Sequence, residues 1–268
     1  MNSKCFFSIF ALTTLLTSSL ATAETKCFLV KENNTMRCHD GEATKRHSPC
    51  STFKIAISLM GYNEGILIDK KHPKIAYEEQ DGPCFLEVWK QPQDPISWIK
   101  NSCVWYSQWI TPQLGEKKFA DYVQKFHYGN EDVSGDPGKN NGLTRCWLSS
   151  SLKISPQEQL AFLEKLTTFQ LPVSHRAQEM TQKILFIEKL PHGWKLYGKT
   201  GSGYQRKPDG SLNEDLKTGW FVGWVEKGHR KILFVHYLED KEKIAAYGGL
   251  RAKAEAKEKL AVFLTEKE

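Results

Sequence analysis

Ser51-Thr52-Phe53-Lys54 is the stretch of this 268-residue chain whose residue types and spacing most directly suggest chemistry. The residues after it, Ile55 to Met60, are apolar apart from Ser58, and the run stops at Gly61. A helix starting near Ser51 puts Lys54 one turn along the same face. Phe53, Ile55, Ala56, Ile57, Leu59 and Met60 leave such a helix almost no polar side, which predicts burial all round. A serine hydroxyl at a helix N-terminus with an amine one turn away is a nucleophile beside a base. An N-capping serine and a snorkelling lysine have the same spacing. Ser97/Lys100 and Ser150/Lys153 repeat it in less apolar settings.

Further patterns follow in order along the chain. Ser102-Cys103-Val104 offers a second hydroxyl, and Tyr128-Gly129-Asn130 reads as a turn. Lys199-Thr200-Gly201 ends an apolar strand and leads into Ser202-Gly203, where small residues let a ligand approach the backbone. The triplet recurs at Lys217-Thr218-Gly219, but that copy runs straight into Trp220-Phe221. The first copy is therefore the one expected at a site.

The elements that must position these residues divide the chain. Residues 1–23 have a short positive start, an apolar stretch diluted by Ser and Thr, and Ala21-Thr22-Ala23, the pattern of a cleaved export signal. Residues 24–268 read as a single domain. Cys27 to Val30 and Thr35 to Cys38 form a hairpin. The chain then looks helical and loop-rich to about residue 180, with a helix start at Ser155-Pro156-Gln157-Glu158. Four strands follow, at Lys183 to Ile187, Trp194 to Gly201, Trp220 to Val225 and Lys231 to Val235, with a polar loop after Gly201 and a turn at Gly228-His229. Ala252 to Leu264 make a terminal helix. The expected class is mixed α/β: an antiparallel sheet lobe (about 24–50 and 181–268) flanked by helices, with an inserted, mainly helical lobe (about 51–180).

The formal charge of +6 is spread without a dense basic block, and there is no nucleic-acid motif. Cys27, Cys38, Cys50, Cys84, Cys103 and Cys146 remain after residue 23. Export permits three disulfides among them, with Cys27–Cys38 the first expectation because the pair flanks the hairpin turn. No spacing of Cys and His suggests a metal. Trp98, Trp105 and Trp109 are expected to be core packing.

Taken together and in this order, the motifs resemble the class D serine β-lactamases, the oxacillinase family related to penicillin-binding proteins. Ser102-Cys103-Val104 matches the Ser-x-Val pattern of class D rather than the Ser-Asp-Asn of class A. Tyr128-Gly129-Asn130 and Trp147-Leu148 match further class D elements. The resemblance runs from about Cys27 to the terminal helix. Cysteines at 50, 103 and 146, beside or inside motifs, depart from the family pattern.

The resemblance implies a β-lactamase/transpeptidase-like fold and a role for each residue. Ser51 would form the acyl-enzyme, with the backbone N–H groups of Ser51 and Ser202 as oxyanion hole. Lys54, desolvated, would add carbon dioxide from dissolved bicarbonate and act as general base. Trp147 would hold that carbamate, and Val104 and Leu148 would keep its pocket dry. Ser102 would relay a proton to the lactam nitrogen beside Lys199, and Thr200, Gly201, Ser202 and Arg251 would bind the substrate. No prosthetic group and no metal is implied. The implied partner is a small β-lactam, with no nucleic acid and no stable membrane anchor, in a bacterial periplasm. A non-hydrolytic penicillin-binding sensor shares these motifs, as does a cell-wall transpeptidase; a cleavable signal and compact length favour the hydrolase.

Overall fold

The computed structural model describes residues 24–79 and 84–265. The segment read as an export signal lies outside them. No helix among the described residues is long and apolar enough to cross a membrane.

Six antiparallel strands form one sheet in the order β2-β1-β6-β5-β4-β3. The strands are β1 (Glu24–Glu32), β2 (Thr35–Gly41), β3 (Phe186–Lys189), β4 (Lys195–Arg206), β5 (Leu212–Lys227) and β6 (Arg230–Glu239). Alternation along β5 explains why both faces are covered. Trp220, Val222 and Trp224 join a core with the helices inserted after β2, while Phe221 and Val225 join a second core under the terminal helix. That helix, α8 (Gly248–Leu264), buries Ala252, Ala256 and Leu260, a stripe at four-residue spacing. The mixed fold with an antiparallel sheet and flanking helices is as expected.

The inserted helices are α1 (Lys54–Asn63), α2 (Pro95–Asn101), α3 (Val104–Leu114), α4 (Glu116–Lys125), α5 (Gly142–Arg145), α6 (Pro156–Thr167) and α7 (His175–Ile184). In α1 every residue from Lys54 to Tyr62 is buried. At α6 the expected start is a full capping box: Glu158 N–H donates to Ser155 Oγ, and Ser155 N–H donates to the Glu158 carboxylate.

Four local expectations need correcting. Ser51 does not start the helix; it lies in a 3-10 turn, Cys50–Phe53, ahead of α1. Lys183 and Ile184 still belong to α7, whose buried Ala177, Met180 and Ile184 keep helical spacing, and the strand begins at Phe186. The polar stretch after Gly201 is not a loop, because β4 and β5 stay paired out to Arg206 and Leu212 past a bulge at Tyr204/Gln205. Cys27 and Cys38 are free thiols. Gly41, not Cys38, stands opposite Cys27, and the two thiols face opposite cores of the sheet. The other four cysteines are also unpaired.

Candidate active site

The chain reverses into the Ser51 turn at Cys50, whose φ of 49° is a left-handed conformation costly for a side-chain-bearing residue. Surrounding contacts hold it there. Thr52 Oγ1 donates to Pro49 O at 2.7 Å and accepts from Gln159 Nε2 at 2.8 Å. Trp220 Nε1 donates to Ser48 O at 2.9 Å, tying the turn to β5. β4 closes on the other side: a Cβ on Gly201 would come 2.9 Å from Pro49 O, so only glycine allows this approach.

Inside this frame Lys54 Nζ donates to Ser51 Oγ at 3.1 Å. Ser51 is half-buried, whereas Lys54 is 0% exposed. Burial pulls the Lys54 ammonium down to about 8 from 10.5.

Ser102 joins α2 to α3 in a left-handed conformation, φ 56° and ψ 32°. That single residue turns the chain and presents its hydroxyl to Lys199, whose Nζ donates to Ser102 Oγ at 2.9 Å and to Thr200 O at 3.0 Å. Lys199 is held well below the ordinary lysine value by burial and then by the Lys54 charge. Thr200 is half-buried, Gly201 buried and Ser202 exposed along β4. Ser202 Oγ accepts from Gly249 N–H at 2.9 Å. The other two Ser-x-x-Lys copies are engaged elsewhere. Ser97 caps α2 with Asp94, Ser150 donates to Asp136, and Lys100 and Lys153 are exposed.

Trp147 is 0% exposed, its ring 5.7 Å from that of Phe53, the residue before Lys54. Its indole Nε1 is buried with no hydrogen-bond partner among the described residues. Val104 and Leu148 are half-buried beside the same core. A buried orphan N–H donor and a buried low-pKa amine are groups a lysine carbamate would use, so the chemistry of the residues present is compatible with that group. Tyr128-Gly129-Asn130 is more than a turn. Asn130 Nδ2 donates to Ser151 O, and its Oδ1 accepts from Lys153 N–H, stapling the segment that carries Trp147. Trp98 and Trp105 are buried core residues, as expected.

Arg251 lies near the start of α8. Its Nη2 donates to Asp240 Oδ2 at 2.8 Å, just beyond β6, and its Nε and Nη1 have no hydrogen-bond partner among the described residues. Asp240 was not legible beforehand, since an acid eleven residues away across a loop has no periodic signature. Burial raises the Cys103 thiol to about 12, and it also raises those of Cys50 and Cys146. The cysteines beside the motifs are therefore neutral thiols and poor nucleophiles. A cavity of about 620 Å³ lined by Glu116, Phe119, Asp132 and Leu143 contains none of the predicted site residues. The closely spaced, buried polar groups around Ser51 carry more chemical information than its volume.

Comparison with known proteins identifies the family. Residues 17–261 match the family of the penicillin binding protein transpeptidase domain. Beta-lactamase OXA-9 of Klebsiella pneumoniae is 40% identical over 97% of this chain and 96% of its own. The crystal structure of OXA-427, a class D β-lactamase, is 43% identical with a TM-score of 0.83, covering 89% of this chain and 98% of that one. The chain belongs to the class D serine β-lactamases. Beta-lactamase OXA-1 of Escherichia coli, 40% identical over 79% of this chain and 75% of its own, is a further relative. As a β-lactamase the chain is a hydrolase, and the motif order that resembled the oxacillinases is carried by a fold of that family.

Proposed function

We propose that this β-lactamase opens the ring of penicillin-type antibiotics through an acyl-enzyme on Ser51, and so confers resistance to them. The observation that carries the reading is the 3.1 Å contact between Ser51 Oγ and the fully buried Lys54 amine. Ser51 Oγ attacks the lactam carbonyl carbon while its proton passes to the Lys54 side chain. Backbone N–H groups of Ser51 and Ser202 receive the developing oxyanion. The carbon–nitrogen bond of the ring then breaks, and Ser102 Oγ–H delivers a proton to the departing nitrogen. Lys199, which donates to that hydroxyl, restores it. The proton on the Lys54 side chain returns through solvent to Lys199; the freed Lys54 base then takes a proton from the water that attacks the ester and passes it to Ser51 Oγ as the ring-opened acid leaves.

Carbon dioxide joined to Lys54 Nζ would supply a carboxylate base in this dry site. Trp147 Nε1 would hold it, with Val104 and Leu148 excluding water. Thr200, Gly201, Ser202 and Arg251 bind the substrate, Thr200 and Arg251 through its carboxylate. Residues 1–23 direct export, and the enzyme works in a bacterial periplasm.

A time course of benzylpenicillin hydrolysis with purified protein tests this. Many equivalents of product per protein are expected. Product stopping at one equivalent, with an acyl adduct persisting for hours, refutes the hydrolytic reading in favour of a penicillin-binding sensor.

A further inference from the structure

The second Lys-Thr-Gly triplet, Lys217-Thr218-Gly219, has no part in the chemistry above, yet its lysine is tied to the segment that carries Arg251. Residues 240–247 form a strap leading from the end of β6 to the start of α8. Most of the strap is exposed, with Ile244 only half-buried, so apolar packing contributes little to holding it. Lys217 holds both of its ends. At one end, Asp240 N–H donates to Lys217 O at 3.0 Å. At the other, Lys217 Nζ donates to Ile244 O at 2.6 Å and Ala245 O at 2.7 Å, with Ala246 O at 3.5 Å. A compact ammonium with three rotatable donors suits such convergent carbonyls. The same Nζ lies 5.9 Å from the centre of the Tyr247 ring.

Tyr247 passes this constraint on. It precedes α8 as N-cap, and its carbonyl accepts from Leu250 N–H at 3.1 Å and Arg251 N–H at 3.3 Å. Gly248 packs backbone to backbone against Gly219, the third residue of the same triplet, and Gly249 N–H reaches Ser202 Oγ on β4. Asp240, fixed through its own N–H, holds the Arg251 guanidinium by Nη2. Lys217 thus holds the start of the strap through its backbone carbonyl and the end through its side chain.

We propose that Lys217 is a positioning residue for substrate-carboxylate recognition, acting through the 240–247 strap on Arg251. This rests on the reading that Arg251 receives the substrate carboxylate. Lys217 touches neither substrate nor Arg251. Loss of its side chain frees the 244–247 end of the strap, loosens the start of α8 that carries Arg251 and weakens recognition of the carboxylate, while the Ser51–Lys54 contact stays in place.

The test compares benzylpenicillin with its methyl ester, which lacks the charged carboxylate, as substrates of the full enzyme. In Lys217→Met, KM for the acid should rise about tenfold with kcat within about twofold, so the acid-to-ester ratio of kcat/KM falls about tenfold. Lys217→Arg, which keeps a cation, should recover most of that ratio. Thermal melting of both variants identifies any that fails to fold, in which case Lys217→Arg carries the comparison with an intermediate ratio. Adding Lys217→Met to Arg251→Ala should lower the ratio no further than Arg251→Ala alone. Equal loss on acid and ester, or independent effects in the double variant, overturns the positioning role. An acid-to-ester ratio unchanged in Arg251→Ala overturns the carboxylate reading of Arg251 instead, and the positioning role with it.

Discussion

Lys199 Nζ donates a 2.9 Å hydrogen bond to Ser102 Oγ across 97 positions of chain. It joins the middle of β4 to a left-handed interhelical turn, so neither hydroxyl nor amine finds its partner until sheet and helices pack together. The two groups should act as one unit in protonating the lactam nitrogen. Ser102→Ala and Lys199→Met are each expected to slow acylation, and the double variant should be little slower than the worse single one. Single-turnover acylation followed by intact-mass spectrometry measures this. Rate losses that multiply would show that the two act separately.

Ser51 is expected to carry the covalent adduct. Mass spectrometry after penicillin exposure should find the acyl group on the peptide containing Ser51. Ser51→Ala should lose the adduct and on the order of 10⁴-fold or more in kcat. An adduct on Ser97 or Ser150 would sink the assignment, and the capping role of Ser97 argues against the first of these.

The state of Lys54 sets a pH dependence with a definite sign. Its folded-state value, about 8, lies below the ordinary 10.5, so the free amine grows as pH rises through about 8 and disappears below it. Both a plain amine base and carbon dioxide capture need the free amine. Activity in bicarbonate-free buffer should therefore fall as pH drops below about 8, and added bicarbonate at fixed pH should restore it. Trp147→Phe keeps the ring but removes the orphan N–H, and should steepen the dependence on bicarbonate. Carbon-13 NMR with labelled bicarbonate reads the carbamate directly. An active enzyme without that signal, indifferent to bicarbonate, would leave Lys54 working as an amine alone.

Asn130 should matter for stability before it matters for chemistry. Asn130→Ala removes two side-chain hydrogen bonds that staple the segment after Trp147. A loss of about 1–3 kcal/mol is expected. That corresponds to a Tm lower by roughly 2–12 °C for a chain of this size. A Tm unchanged within error would mean that water replaces both bonds without cost.

Thiol accessibility tests the corrected cysteine assignment. Cys27, Cys50, Cys103 and Cys146 are buried, whereas Cys38 and Cys84 are partly exposed. A thiol reagent should label Cys38 and Cys84 first in the native, reduced enzyme, and the buried four only on unfolding. Rapid native labelling of Cys103 would contradict the packing around Ser102.

What the chain determined alone is local. The apolar run after Ser51 specified a buried α1 because a helix without a polar side has nowhere else to go. Ser155 and Glu158 specified the start of α6 because capping is a contact between neighbours in sequence. The mixed architecture was legible because the apolar runs of β5 and β6 and the short turn between them are encoded residue by residue. The tertiary structure decided everything that joins distant segments. It placed Ser51 in a 3-10 turn rather than on the helix, since β4 packs against Pro49 and Trp220 holds Ser48. It carried β4 and β5 past Gly201 through cross-strand pairing, which a polar composition hides. It kept Cys27 and Cys38 apart, because register, not proximity to the turn, sets which face of the sheet a side chain takes. Asp240 beside Arg251, and Lys217 beneath the strap, exist as partners only once the chain has folded, because a hydrogen bond between distant segments leaves no period in the sequence.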